Sequence, residues 1–219
     1  MIPRYFWPVV FLISNVLCTL QLFSHETALS PFTRQYTHMT LVLTALYSAV
    51  TVRQIDVTAL CVLSVIFSVH WHSGDTAWQK PDGWLSRFGI LYIAARVVLE
   101  HGAAAIVIAS LIVIDIWIWN DDVVFFSSLG ATGFLICINY KKLFWPDVVA
   151  TAVFAISGYM CYHTEKIGMH GLWHSFMATA TAFAVTVPIE SKWHLLMPWP
   201  KNIHTNVVDT RKKESFIRF

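Results

Sequence analysis

Two histidines stand four residues apart in GMHGLWHSF, residues 168–176. On a helix that spacing puts His170 and His174 on one face, one turn apart. Two imidazoles so placed can ligate one metal ion. Zinc-protease helices use the same spacing with a glutamate directly after the first histidine. Here Gly171 holds that position, so that motif does not match. Ten histidines in 219 residues give about 0.45 such pairs from composition alone, and the pair needs partners to carry weight. A second segment, SVIFSVHWHSGD at 64–75, supplies Ser68, His70, His72 and Asp75. Asp82 follows seven residues after Asp75.

Three imidazoles with one open position make a catalytic type of zinc site. A structural site normally takes a fourth protein ligand, most often cysteine, and neither segment contains one. Zinc lowers the pKa of a bound water to about 7 and polarises a carbonyl oxygen. Asp75 or Asp82 can then serve as general base and return the proton to a leaving group. Asp75 can alternatively accept the second ring N–H of a ligating histidine. Ser68 can hydrogen-bond a developing oxyanion or orient the water. It reads as an electrostatic contributor and not as a nucleophile, because the sequence offers no base dedicated to it. His70 is two residues from His72, so about 200° around a helix.

These residues need apolar elements to hold them. The chain is 56% hydrophobic and only 13% charged, with mean hydropathy +0.57. A soluble domain carries about 25% charged residues. The composition predicts an all-α, polytopic transmembrane bundle. Eight spans of about 16–20 residues are expected, near the lower limit for crossing, at 5–23, 37–52, 56–72, 84–100, 103–119, 123–140, 147–163 and 168–188. Asp121–Asp122, Lys141–Lys142 and Glu165–Lys166 mark connections. Pro81, Pro146 and Pro188 sit at span ends, where a missing N–H costs least. Residues 1–36 form an N-terminal anchor helix or signal peptide with its loop, 37–188 the seven-span catalytic-type bundle, and 189–219 a polar, basic tail at the membrane surface. The short n-region MIPR before a long apolar run favours an uncleaved anchor over a signal peptide.

Orientation follows from the basic residues. Arg4, Arg53, Arg96, Lys141, Lys142 and the tail with Arg211, Lys212 and Lys213 fall on the cytoplasmic side, together with both termini. Asp75, Asp82, Asp121, Asp122 and Glu165 fall on the other. The third span then ends, and the eighth begins, at the non-cytoplasmic face. His72, His170, His174, Ser68 and the aspartates are thereby brought to one membrane depth. A net charge of +2 with scattered bases gives no support for nucleic-acid binding. The four cysteines, all in apolar stretches and none in a Cys-x-x-Cys pair, do not suggest a disulfide framework.

Ser-x-x-x-His at 68–72 followed by Asp75, with His-x-x-x-His at 170–174 in the last span, resembles the CREST superfamily of membrane hydrolases, which includes alkaline ceramidases and adiponectin receptors. The wording of SVHWHSGD and HGLWHSFMATA is most similar to the branch that holds transmembrane protein 8 and myomaker. The resemblance covers residues 37–188 in span order and rests on these short motifs. It implies a seven-helix core plus one N-terminal helix or cleaved signal. It also implies zinc on His72, His170 and His174, Ser68 as a site residue, and Asp82 at the family's further acidic position. The implied activity is zinc-dependent hydrolysis of an acyl amide or ester bond in a membrane lipid, ceramide-like or phospholipid-like. The alternative, drawn from the myomaker likeness, is a membrane-remodelling or scaffold protein whose metal site is structural.

Other polar residues have plainer readings. Asp115 is an intramembrane carboxylate near the outer end of its span, where a solvated position also suits it. His163, His101, His25, His38, His194 and His204 sit at span ends or in the tail and read as interfacial. The tryptophans near span boundaries form an interfacial belt. Arg96 and Glu100 read as a helix-end ion pair.

Overall fold

The computed structural model describes residues 6–23, 38–98, 140–164 and 169–187, with Gly130, Gly133 and Cys137 as separate helical positions. The expected spans at 103–119 and 123–140 lie largely outside the described residues. So do Glu100, His101, Asp115, Asp121, Asp122, Glu165, Lys166, His25, His194, His204 and the basic tail.

Among the described residues the architecture is helical throughout. The helices are α1 (Phe6–Phe23), α2 (Met39–Leu46), α3 (Ile55–His72), α4 (Gln79–Val98), α5 (Trp145–Tyr162) and α6 (Met169–Ala184). Each begins or ends within a few residues of an expected span, because the charged and proline positions that punctuate the apolar runs also interrupt helices. Pro146 stands in the first turn of α5, where it forfeits no intrahelical bond. α2 continues as one wide π-type segment, Tyr47–Val52. It ends at Arg53 in the left-handed region (φ 60°), with the Gln54 N–H closing back on the Ser48 carbonyl at 2.9 Å.

α6 is the central element. It packs against α5 most extensively and also touches α1, α2 and α4. Its sequence explains why. Gly171, Ser175, Ala178, Thr179, Ala180 and Ala182 are small and buried, so neighbouring backbones can come close. Gly158 of α5 faces it so tightly that a Cβ there would stand 3.0 Å from the Met177 sulfur.

Polar residues share the interior with the apolar core, while many large apolar side chains face outward. Asn15, Thr40, Thr44, Ser48, Ser68, Asp147, Ser175, Thr179 and Thr186 are buried, whereas Leu12, Ile13, Leu20, Val149, Val153, Ile156 and Met160 are exposed. Several of the buried groups pair across helices. Asn15 donates to Thr179 Oγ1 at 2.8 Å and accepts from Ser175 Oγ at 3.0 Å. Ser175 meets Thr40 at 2.9 Å, Thr40 meets Ser14, and Thr44 donates to the Ala178 carbonyl at 2.9 Å. This ladder ties α1 and α2 to α6. α3 is long and apolar enough to cross a membrane, while Phe6–Leu20 and Met39–Val52 are apolar but shorter.

Candidate metal centre

Four chain positions meet at one end of the bundle: the start of α2, the end of α3, the first turn of α4 and the start of α6. Each delivers one or two polar side chains. α3 ends at His72, one turn after Ser68 on the same face. Ser73, Gly74 and the short 3₁₀ turn Thr76–Trp78 then reverse the chain. Gly74 takes φ 104°, a conformation a side chain disfavours. Asp75 caps the turn, its Oδ1 accepting from the Ala77 N–H at 3.1 Å. The reversal places Asp82 in the first turn of α4, buried against the end of α3.

The three histidines expected from the sequence converge. Nε2 of His170 lies 3.2 Å from Nε2 of His72. Nε2 of His174 lies 3.3 Å from His72 and 3.1 Å from His170. The triangle is almost equilateral. Three hydrogen bonds cannot explain it. Each Nε2 of a neutral imidazole either carries the proton or presents a lone pair. With two states and three atoms, at least one pair must match, setting proton against proton or lone pair against lone pair. A cation removes the conflict, since all three lone pairs can then aim at one point. Zinc–nitrogen bonds of 2.0–2.1 Å at tetrahedral angles separate ligand atoms by roughly 3.3–3.4 Å. The observed spacings of 3.1–3.3 Å lie at or just under that edge.

A fourth histidine joins them. His38, His72 and His174 bring ligand nitrogens within 4.8 Å of one another and form a cluster able to hold a metal ion. The His38 ring stacks on His174 (centroids 5.0 Å, planes 30°) and stands edge-on to His72 at 5.5 Å. Its Nε2, however, is 2.8 Å from Ser68 Oγ. The tighter convergence is therefore that of His72, His170 and His174. Sequence reasoning placed His38 among the interfacial histidines. The signal that finds it is positional: it caps the start of α2 at the end of the bundle where α3 ends and α6 begins.

The remaining expected residues separate clearly. Ser68 is buried between His38 and Asp82. Asp82 precedes the apolar stretch expected to cross the membrane. Burial raises its carboxyl to about 6, and the hydrogen bond from Ser68 opposes that rise. A carboxyl near 6 is suited to exchanging a proton at neutral pH. Asp75 is exposed, and its carboxylate caps the turn. His70 points elsewhere and stacks on Trp78 (centroids 5.0 Å, planes 21°). His163 is exposed and packs on Tyr159 and Tyr162, as an interfacial histidine would. Trp173 flanks His170 and His174 at 5.1 and 4.4 Å between ring centroids.

In comparisons with protein-family models, curated proteins and solved structures, the chain matches none.

Proposed function

We propose that this chain is a multi-pass membrane hydrolase that uses one zinc ion, held by His72, His170 and His174, to cleave an acyl amide or ester bond of a membrane lipid. The observation that carries this reading is the Nε2 triangle, which no assignment of ring protons satisfies. Three nitrogen donors on one side suit zinc and leave coordination open. Zinc in such a setting supplies Lewis acidity and lowers the pKa of water. Asp82 then stands as proton acceptor and donor, and Ser68 as the hydroxyl that orients reacting oxygens. A lipid substrate suits the surroundings, since the large apolar side chains exposed on the helices fit a chain solvated by acyl groups. The apolar runs support a multi-pass arrangement, and the basic residues between them favour the cluster toward the non-cytoplasmic face and the C-terminus cytoplasmic.

The open side also separates this reading from that of a scaffold with a structural metal. A structural zinc normally has four protein ligands, and the His38 Nε2 is engaged by Ser68. The experiment is elemental mass spectrometry on detergent-purified protein beside His72→Ala, His170→Ala and His174→Ala. About one zinc per chain is expected, lost in each variant. Wild type without metal, or metal indifferent to all three changes, overturns the proposal. Against the scaffold, Asp82→Asn should abolish turnover of lipid amides and esters while zinc is retained.

A further inference from the structure

His38 is a positioning residue for this site and not one of its ligands: we infer that it sets the Ser68 hydroxyl and the ring planes of His72 and His174. The inference rests on the metal-site reading above and extends it to a residue outside the ligand triangle. Three observations carry it. First, Nε2 of His38 is 2.8 Å from Ser68 Oγ, and both residues are at most 3% exposed, so water does not compete for the bond. Second, the ring lies against two of the converging histidines, face to face with His174 and edge to face with His72. Third, Ser68 has a second neighbour in Asp82.

The third point fixes the rotor. A serine hydroxyl has one proton to give. With an imidazole on one side and a carboxyl on the other, the proton goes to one partner and a lone pair receives from the other. The 2.8 Å bond to His38 holds Oγ in one orientation. Remove His38 and Ser68 keeps a single buried partner. Its hydroxyl is then free to turn, and the face of His174 loses its support. As N-cap residue of α2, His38 is also anchored by its own backbone, whose carbonyl accepts the Val42 N–H at 3.1 Å. A ring fixed at both ends acts as a wedge between Ser68 and the ligands.

The test uses His38→Phe, which keeps an aromatic wedge but has no polar nitrogen, and His38→Gln, whose amide can still reach Ser68. Zinc content, the visible spectrum of the cobalt-substituted protein and the thermal midpoint of the metal-free protein are measured for each, in detergent. Both variants are expected to keep zinc, bound about 10-fold more weakly in the Phe variant. The cobalt bands should shift in His38→Phe and in Ser68→Ala, and return toward wild type in His38→Gln. In metal-free protein, His38→Phe and Ser68→Ala should be non-additive, the double variant losing less than the sum. Loss of zinc from His38→Phe as complete as from His72→Ala makes His38 a ligand and overturns the inference. Additive thermal shifts also overturn it. The metal-free cycle needs no metal, so it judges the His38–Ser68 pair even if wild type proves to hold no zinc and the proposed function fails.

Discussion

His72 and His170, 98 residues apart in the chain, bring their Nε2 atoms to 3.2 Å. Only the end of α3 and the start of α6 meeting at one face allows it. Chelation should therefore loosen that end of the bundle. Removing metal is expected to lower the thermal midpoint, and excess zinc to restore it, because a ligand that binds only the folded form stabilises it by mass action. His72→Ala and His170→Ala should show no zinc-dependent shift. His70→Ala, which loses only a stack on Trp78, should shift like wild type. Differential scanning fluorimetry with and without zinc checks all three.

Asp82 has its carboxyl raised from 3.8 to about 6 by burial. The sign of its linkage follows. Between those values the folded chain holds a proton that the unfolded chain has released, so stability falls as pH rises through this window and the full cost is present above about 6. Asp82→Asn keeps a partner for Ser68 and removes the charge. Its thermal midpoint should exceed that of wild type at pH 7.5, and the gap should narrow by pH 4.5 and close below about 3.8. The same substitution should reduce hydrolysis by 10²-fold or more, the usual range for a lost general base. Asp75→Asn, at an exposed turn cap, should leave turnover within about 2-fold and cost about 1 kcal/mol at most.

The helices and the histidine triangle were legible because each has a local signature. Charges and prolines break apolar runs, and a spacing of four puts two imidazoles on one face. Asp75 and Asp82 were not separable that way. Both follow α3 closely, and only the turn at 73–78, with Gly74 at positive φ and the Asp75 cap, decides which carboxyl is turned inward. His38 was missed for a different reason. Its neighbourhood in the chain, YTHMT, has no partner at helical spacing. Its importance lies in contacts distant in sequence, among them Ser68, His72 and His174, 30, 34 and 136 residues away. The interhelical polar ladder was invisible too, since serine and threonine in an apolar run look alike whether they face a neighbour or a lipid.

Asn15 tests whether α1 belongs to the bundle. Its side chain donates to Thr179 and to the Phe11 carbonyl, and accepts from Ser175. Two of those bonds reach α6. Asn15→Leu should cost about 1–2 kcal/mol, the scale of interhelical hydrogen bonds in membranes, and leave Ser175 short of a partner one residue from His174. Resistance to unfolding by denaturing detergent measures this. An unchanged midpoint would mean that α1 contributes little to the bundle. Asn15→Asp retains an acceptor for Ser175 and should lie between the two.

Gly158 tests the closest helix contact. A methyl group there would stand 3.0 Å from the Met177 sulfur and 3.4 Å from the Phe176 Cβ. The thioether is the yielding part, because methionine has three rotatable bonds and fills irregular gaps. Gly158→Ala should therefore be tolerated within about 1 kcal/mol, with the Met177 side chain displaced. Gly158→Leu has no such escape, since the added branch reaches the α6 backbone side of the contact. It should cost about 1–3 kcal/mol. α6 carries His170 and His174 on the same rigid element, so pushing it outward also moves two corners of the triangle. Weaker zinc binding should accompany the loss of stability in Gly158→Leu, and a Met177→Ala change in the same chain should recover part of both. Stability lost with zinc affinity intact would show that the two ends of α6 move independently.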